Sequence, residues 1–293
     1  MKFTKMHGIG NDYVYVNCFK EHIDNPAQLA KTISDRHFGV GGDGLILIMP
    51  SETADVKMRI FNTDGSEAEM CGNGIRCVAK YTYEHKLAAA GEPLLVPGQQ
   101  TYNASFNIET GRGILTVGLV INEADTVEKV CVNMGQPILK PEKIPVKLNA
   151  KNIIKAPLDV NGQSLLLTAV SMGNPHAVFF CDNVDSVELE KIGPSVENHT
   201  MFPKRINVHF VQVISENEFK MRTWERGSGI TLACGTGACA CAVAAMLTKQ
   251  CQRTVIAHLP GGDLQLYWAE QDNCVYMTGP AAEVFEGTWQ DIK

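Results

Sequence analysis

VKMRIFNTDGSEAEMCGNGIRCVAKY, residues 56–81, aligns without a gap with FKMRTWERGSGITLACGTGACACAVA, residues 219–244. The alignment pairs Cys71 with Cys234, a separation of 163 residues that is the same along both segments. Self-similarity at a fixed separation indicates one structural unit that occurs twice in the chain. We therefore predict two domains of similar fold, related by pseudo-twofold symmetry.

Strand-like runs dominate the rest of the chain, and helical patterns follow the two cysteines. Residues 75–85 and 238–249 lack glycine and proline, which favours helices, and the second is rich enough in Ala and Cys to be buried on all sides. We predict an α+β fold of two pseudo-symmetric domains, each a mostly antiparallel β-barrel-like sheet around a central helix, with the active site in the cleft between them. The runs that predict strands are YVYVN (13–17), LILIM (45–49), VKMRIF (56–61), ILTVGLVI (114–121), HAVFF (176–180), NVHFVQVI (207–214) and DLQLYW (263–268).

Composition and charge exclude several classes of protein. The 293 residues are 45% apolar and 20% charged, which is typical of a globular chain long enough for two domains. A net charge of -6 without a basic run argues against nucleic acid as a partner. No apolar signal segment follows Met1, so we predict a cytoplasmic protein. The uncharged stretch 230–248 is too rich in Gly, Thr and Ala for a membrane helix, and we predict no membrane contact.

The ten cysteines indicate thiols in a reducing compartment rather than a disulfide framework. Cys239 and Cys241 are the only close pair, and no second pair or histidine cluster accompanies them. Because a structural zinc ion needs four such ligands, we predict no metal site. We expect Cys77, Cys239 and Cys241, which lie within the predicted helices, to be core residues.

Cys71 and Cys234 each precede a Gly-x-Gly sequence and a predicted helix. The first N–H groups of a helix would point towards such a sulfur, lower its pKa below the usual value of about 8.5, and attract a carboxylate. One cysteine of this kind is more often structural, but a symmetric pair suits inversion at a carbon next to a carboxylate. A thiolate would remove the proton from one face while a thiol protonates the other, with no pyridoxal phosphate or other cofactor.

Several longer segments share one family pattern. At these positions the sequence resembles the diaminopimelate epimerase family, within a wider group that includes proline racemase and the phenazine-biosynthesis isomerases. The segments are KMHGIGNDYV (5–14), DRHFGVGGDGLI (35–46), FNTDGSEAEMCGNGIRC (61–77), MGNPHAVFF (172–180), RINVHFV (205–211) and WERGSGITLACGTGACA (224–240). The resemblance covers nearly the whole chain, and GNPHAV (173–178) followed by ERGSG (225–229) favours the diaminopimelate branch.

The resemblance implies a small-molecule substrate, diaminopimelate, whose LL and meso forms are interconverted for lysine and peptidoglycan-precursor biosynthesis. It implies that Cys71 donates and Cys234 accepts a proton when the LL form becomes the meso form, assisted by His176 and Glu225. Arg226 would bind the distal carboxylate. The full set of implied substrate-binding residues is Asn11, Asn62, Gly72, Asn73, Asn174, Asn207, Glu225, Arg226, Gly235 and Thr236.

The resemblance also implies that the last strand returns to the first domain. The domains would then be 1–126 with 284–293, and 127–283. A homodimer is one assembly that we consider. Some family members carry glutamine where this chain has Gly44, so no side-chain contact with substrate is assigned there.

Structural explanations compete with these roles. Asn11 and Asn174 follow glycine and suit turns, Arg226 suits a solvated loop, and His176 suits a hydrogen-bonded core position. Two other functions also stay open. One is a racemase or epimerase for proline or hydroxyproline, which needs no distal carboxylate contact. The other is a thiol-redox or ligand-binding protein, although the sequence has no C-x-x-C motif.

Overall fold

The computed structural model describes residues 1–96, 98 and 101–290. The chain forms two compact units, Met1–Asn133 with Thr278–Lys293 and Met134–Met277. The predicted domain boundaries after residues 126 and 283 stay a prediction, and residues 291–293 of the predicted first domain lie outside the described part. The α+β class is confirmed, because helices and strands both contribute and strands prevail.

The elements of the first unit begin at the N-terminus. They are β1 (Lys2–Gly8), β2 (Asn11–Asn17), α1 (Pro26–Ile33), β3 (Gly44–Met49), β4 (Val56–Asn62), β5 (Glu67–Ala68), α2 (Gly72–Glu84), β6 (Leu94–Leu95), β7 (Thr101–Tyr102), β8 (Ala104–Thr110), β9 (Gly113–Ile121) and β10 (Val127–Asn133).

The chain then passes through the second unit and returns. The elements are β11 (Ala156–Val160), β12 (Gln163–Ser171), β13 (Pro175–Phe180), a 3-10 helix (Val184–Ser186), α3 (Leu189–Glu197), β14 (Asn207–Ser215), β15 (Glu218–Glu225), β16 (Gly229–Thr231), α4 (Gly235–Leu247), β17 (Thr254–Leu259), β18 (Gly262–Trp268), β19 (Val275–Gly279) and β20 (Ala282–Thr288).

The internal repeat is visible in the strand register of the two units. In the first, β2 pairs in parallel with β3, with Val14 opposite Leu45. In the second, β13 pairs in parallel with β14, with Ala177 opposite Val208, and both residues lie 163 positions further along. The helices α2 and α4 have 13 residues each and start at the same offset. The two units therefore repeat one arrangement of strands and helix, as the internal repeat in the sequence predicted.

Most strand pairs are antiparallel, and each unit adds two parallel pairs. These are β2–β3 and β4–β8 in the first unit, and β13–β14 and β15–β17 in the second. Among the described residues of the first unit the pairing runs β20-β1-β2-β3-β4-β8-β9-β10 and does not close on itself. The sheet therefore curves around the helix as a barrel would, but among the described residues its end strands β20 and β10 are not paired with each other.

A central helix lies against the strands of each unit. Helix α2 contacts β1, β2, β4, β8, β9, β10 and β20, while α4 contacts β12, β13, β14, β17 and β18. Every residue from Gly237 to Ala245 of α4 is buried, as its Ala- and Cys-rich sequence predicted. Cys77, Cys239 and Cys241 are core residues. In the described part of the chain, the helices are all too short or too polar to span a bilayer.

Both faces of β3 are covered, which explains its continuous apolar sequence. Leu45 and Leu47 pack in one cluster with Ile33 of α1. On the opposite face, a Cβ added to Gly74 of α2 would lie 2.7 Å from Ile46 Cδ1, so the helix start and the strand are in close contact. This contact fixes the first turn of α2 against the sheet.

The last strand, β20, pairs antiparallel with β1 in the first unit, with Lys2 opposite Thr288. The segment before β20 is tied to the central helix by a fully buried arginine. Arg76 Nε donates to the Pro280 carbonyl at 3.1 Å, and its Nη1 donates to the Gly72 carbonyl at 3.2 Å.

We expect Arg76→Met to lower the free energy of unfolding by about 2–4 kcal/mol, because the Gly72 and Pro280 carbonyls lose a charged donor that is itself fully buried. Urea denaturation followed by circular dichroism measures this. Arg59→Met is the matched control, since Arg59 pairs with Glu67 at a half-exposed site and should cost less than about 1 kcal/mol. Equal costs for the two variants would contradict the role given to Arg76.

Candidate active site

Cys71 occupies the N-cap of α2 in an extended conformation, with φ -135° and ψ 119°. Its Sγ accepts a hydrogen bond from the Gly74 N–H at 3.3 Å. The sulfur therefore lies at the positive end of the helix, where the first N–H groups favour an anion. The absence of a side chain at Gly74 allows this turn to approach Ile46 of the sheet.

Asn11 joins the Cys71 site through its amide oxygen. The Cys71 thiol and the Asn73 amide both donate to Asn11 Oδ1, each at 3.3 Å. On the other side of the amide, Asn11 Nδ2 donates to Asp43 Oδ2 at 2.7 Å. Because a carboxylate accepts only, Asp43 orients the amide so that its oxygen faces the sulfur.

Asp43 was not among the predicted site residues, although it belongs to the family segment 35–46. Arg36 Nη2 bridges it to Asp12, at 3.0 Å from Asp43 and 2.7 Å from Asp12. Lys5 adds a second ion pair to Asp12 at 2.5 Å. These ion pairs hold the Asp43 carboxylate in position. The orientation of the Asn11 amide therefore depends on Asp43.

The Tyr13 side chain lies beside Cys71 and also close to the backbone of Gly44. Burial, followed by the nearby charges of Cys71 and Asp43, raises the pKa of Tyr13 well above its usual value, so the phenol stays protonated.

A Cβ at Gly44 would lie 2.2 Å from the Phe61 carbonyl oxygen and 2.9 Å from Tyr13 Cε1. This backbone leaves no space for a glutamine at position 44.

Asn62 ends β4, opposite Gly44 in the strand pair. Its Nδ2 donates to Ser66 Oγ at 3.0 Å, within the turn that joins β4 to β5. The structure thus places Asn62 in a turn network, and its role in substrate binding stays a prediction.

Cys234 occupies the equivalent N-cap of α4, but it is only 4% exposed. Burial raises the pKa of this thiol well above its usual value, and the neighbouring Glu225 charge raises it further. The Gly237 N–H and the Thr236 hydroxyl near the sulfur lower the pKa, but their influence is weaker. The sequence predicted a lowered pKa from the helix terminus, and for Cys234 that prediction was wrong because desolvation of the thiolate outweighs the helix N–H groups.

Glu225 lies at the end of β15 and is oriented by the next strand. Thr231 Oγ1 donates to Glu225 Oε1 at 2.6 Å, and the β15–β16 pairing sets Glu225 opposite Gly229. Thr231 was not predicted as a site residue. The internal repeat could have indicated Thr231, because its strand β16 precedes Cys234 just as the equivalent strand β5 precedes Cys71.

Asn174 connects the first turn of α4 to a histidine. Its Nδ2 donates to Thr236 Oγ1 at 3.2 Å, and its Oδ1 is 2.9 Å from His176 Nε2. His176 is fully buried, and its other ring nitrogen lies 2.9 Å from His209 Nε2. Burial lowers the pKa of His176 well below its usual value, and it lowers the pKa of His209 to about 3. Both imidazoles are therefore neutral.

Asn207 and Arg226 meet where β14 lies beside the turn after β15. Asn207 Nδ2 donates to the Pro175 carbonyl at 2.9 Å, and its Oδ1 accepts from the Arg226 N–H at 2.9 Å. The Arg226 side chain is exposed and donates to the Lys204 carbonyl at 3.0 Å. Glu197, which was not predicted, accepts from the Gly227 N–H at 3.0 Å and so anchors the same turn.

One group of side chains in the described part of the chain has the spacing of a metal site: His85, Glu283 and Glu286. His85 Nε2 lies 3.0 Å from Glu283 Oε2. None of the three belongs to the residues around Cys71 or Cys234, so this group contributes nothing to the thiol sites.

The fold has known relatives. A phenazine biosynthesis protein of the PhzF family from Bacillus anthracis matches with a TM-score of 0.67 and 18% identity over 98% of both chains. A probable proline racemase from Agrobacterium radiobacter K84 matches with a TM-score of 0.65 and 12% identity, over 99% of this chain and 93% of that one. At these identities the likeness defines the fold class alone.

Sequence comparison goes further than the fold. The family model of diaminopimelate epimerase matches residues 3–140 and 168–284. The diaminopimelate epimerase of Acetivibrio thermocellus is 53% identical over 287 residues, which cover 98% of both chains. The chain belongs to the diaminopimelate epimerase family, an isomerase family, as its sequence segments predicted.

The two buried imidazoles predict a pH dependence of stability. Their folded pKa values lie below the usual 6.5, so the unfolded chain takes up protons that the folded chain does not, and stability is lost as the pH falls through this range. Between about pH 7 and about pH 5.5 the free energy of unfolding should fall by about 2 kcal/mol. Urea denaturation at the two pH values measures it.

His209→Ile provides the matched variant, because it removes one of the two imidazoles and should roughly halve this dependence. A free energy of unfolding that is independent of pH over this interval would contradict the neutral assignment of the pair.

Proposed function

We propose that this chain is a cofactor-independent epimerase that interconverts LL-2,6-diaminopimelate and meso-diaminopimelate. The observation that carries the proposal is the pair of thiols, Cys71 and Cys234, at equivalent N-caps of the two central helices in a chain of this family. Each thiol would act on one face of the same substrate carbon. Lysine and peptidoglycan-precursor biosynthesis is the corresponding role in the cell.

Inversion needs one proton to leave the carbon and another to arrive on the opposite face. A thiolate takes the α-hydrogen as a proton, and the electron pair of the broken C–H bond moves towards the carboxylate. The opposite thiol then gives its proton to the carbon and becomes the thiolate. No proton is consumed overall, and the reverse reaction uses the same two groups in exchanged roles.

The reacting carboxylate would bind at the first turns of α2 and α4. Gly72–Asn73 and Gly235–Thr236 present backbone N–H groups there, at the positive ends of the helix dipoles. Such donors stabilise the negative charge that develops when the proton leaves. The amides of Asn11 and Asn174 border these turns, and we assign them to the substrate together with Asn62 and Asn207.

Glu225 supplies a reason for Cys234 to become reactive only with substrate bound. Its charge, added to burial, keeps the Cys234 thiol protonated in the structure. A substrate ammonium group next to Glu225 would offset that charge, lower the pKa of Cys234 and promote the thiolate. In this scheme Glu225 contacts the reacting amino group, while His176, with both ring nitrogens bonded, assists by positioning Asn174.

Arg226 would bind the distal carboxylate of the substrate. Its guanidinium is exposed and makes a hydrogen bond to a backbone carbonyl, so it can reach a ligand without leaving a buried partner charge behind. A planar guanidinium also suits a carboxylate through two parallel hydrogen bonds.

The remaining assignments are proposals of the same kind. Diaminopimelate would be the partner of this chain, without nucleic acid or membrane, and a homodimer is the assembly that we propose for solution. A cytoplasmic location agrees with ten cysteines that the structure records as thiols. We also retain the functional domains 1–126 with 284–293, and 127–283.

Family membership favours the diaminopimelate reaction over the alternatives. The racemase matches at 12% identity, which supports a common fold only. A redox function has no C-x-x-C motif to support it, and the Cys234 pKa is raised rather than lowered.

Cys71→Ser and Cys234→Ser should each lower the rate of LL-to-meso conversion by about 1,000-fold or more, because a hydroxyl is a far weaker acid than a thiol. It therefore donates a proton poorly and is almost never present as the alkoxide that would remove one. Chiral chromatography of the product measures the rate. Cys251→Ser is the matched control at a cysteine outside both sites and should keep the parent rate. A single variant that retains most of the activity would remove that thiol from the proposed pair.

Arg226→Ala should lower kcat/KM for diaminopimelate by about 10- to 100-fold through the lost charge-assisted hydrogen bonds. Lys204→Ala removes a charge from the neighbouring exposed position and is the control. If proline is the substrate instead, it has no distal carboxylate and the Arg226 variant should process it as well as the parent protein does. An unchanged kcat/KM for diaminopimelate would refute the assignment of Arg226.

A further inference from the structure

A chain of hydrogen bonds crosses the interior of the second unit and ends at the Cys234 sulfur. Its side chains are Thr223, His209, His176, Asn174, Thr236 and Cys234, and we refer to them as the polar chain. The successive separations are 3.0, 2.9, 2.9, 3.2 and 3.7 Å, from Thr223 Oγ1 to Cys234 Sγ. Thr223, His209 and His176 are buried.

The direction of the polar chain follows from its asparagine. Asn174 directs its Nδ2 donor to Thr236, so its Oδ1 is the acceptor that faces His176. A neutral His176 must then carry its proton on Nε2 and accept at Nδ1. His209 in turn must donate from Nε2 and accept from the Thr223 hydroxyl at Nδ1.

This direction has a consequence at the sulfur. Thr236 Oγ1 already accepts from Asn174, so its own hydroxyl proton is available to Cys234 Sγ. A donor of this kind stabilises the thiolate. In the reversed direction the Asn174 oxygen would take the Thr236 proton, and the sulfur would have to donate to Thr236 instead. The two directions therefore favour different protonation states of Cys234.

We propose that His209 is a positioning residue for Cys234, which fixes the polar chain in the direction that lets Thr236 donate to the sulfur. This inference rests on the proposed catalytic role of Cys234. His209 would not touch substrate, and it would act only through His176, Asn174 and Thr236.

The repeat shows that the histidine is not needed for packing at this position. His209 is the counterpart of Ile46, which packs against Gly74 at the start of α2. His209 packs in the same way against Gly237, where an added Cβ would lie 2.4 Å from His209 Cε1. Isoleucine therefore suits the same site in the sister unit, and what histidine adds in the second unit is a buried donor and acceptor.

The partner of His209 is specific to the second unit as well. His176 is the counterpart of Tyr13, whose side chain lies beside Cys71. At the equivalent pair of positions the first unit thus has a phenol and an alkyl group, while the second has two imidazoles. A hydrogen-bonded relay through both positions is a property of the Cys234 site.

The test compares the parent protein with His209→Ile and His209→Gln. The isoleucine variant copies the sister unit and removes the donor to His176 Nδ1, whereas the glutamine amide can restore that donor. Nitrogen-15 NMR of the histidine rings reports which nitrogen of His176 carries the proton. Alkylation by iodoacetamide at about pH 8, near the usual thiol pKa, followed by peptide mass spectrometry, reports the thiolate of each cysteine.

We expect His176 to carry its proton on Nε2 in the parent and glutamine proteins, and to lose this single tautomer in the isoleucine variant. Alkylation of Cys234 should slow by about tenfold in the isoleucine variant, as for a pKa raised by about one unit, while Cys71 serves as the reference within the same molecule. Glutamine should restore most of the Cys234 rate.

A proton on Nδ1 of His176 in the parent protein would overturn the inference, and this measurement does not depend on whether a variant folds. An isoleucine variant with the parent tautomer and the parent Cys234 rate would also overturn it. Neither readout uses substrate, so a wrong substrate assignment would be seen separately, as loss of the diaminopimelate reaction with the polar chain intact.

Discussion

The start of a helix is the constraint on which both thiol sites depend. A cysteine at an N-cap lies beside the first N–H groups of the helix, which have no acceptor within it. The Gly74 N–H donates to Cys71 Sγ, and Cys234 occupies the equivalent position of α4. The glycines that follow Cys71 and Cys234 let the sheet approach the first turn, through Ile46 in one unit and His209 in the other. Strand register, helix length and cysteine position are consequently repeated together.

Equivalent positions do not give equivalent thiols. Cys71 is half-buried and bonded to Asn11, whose orientation depends on Asp43. Cys234 is buried next to Glu225, and the cost of desolvating a thiolate there exceeds the benefit of the helix N–H groups. Burial and the Glu225 charge therefore favour the protonated form of Cys234.

The sequence alone predicted the repeat, the helix after each cysteine and the cysteines themselves, because these depend on local spacing that an offset alignment reveals. It did not predict Asp43, Thr231 or His209. Each acts on a site residue from another strand or loop, and such contacts depend on register rather than on spacing along the chain. Nor did local reasoning predict the raised pKa of Cys234, since the helix terminus is visible in the sequence but the depth of burial is not. The need for glycine at position 44 of β3 likewise follows from contacts with Phe61 on β4 and Tyr13 on β2, which the local sequence does not reveal.

The central claim is that different thiols act on the two faces of one carbon. The most direct test is the distribution of deuterium early in the conversion of LL-diaminopimelate in heavy water, read by NMR and mass spectrometry. Two thiols predict solvent deuterium in the meso product at the inverted carbon and almost none in the remaining LL substrate, because the removed proton and the delivered deuteron belong to different sulfurs. Equal deuterium in recovered substrate and product would show one group serving both faces and would contradict the account.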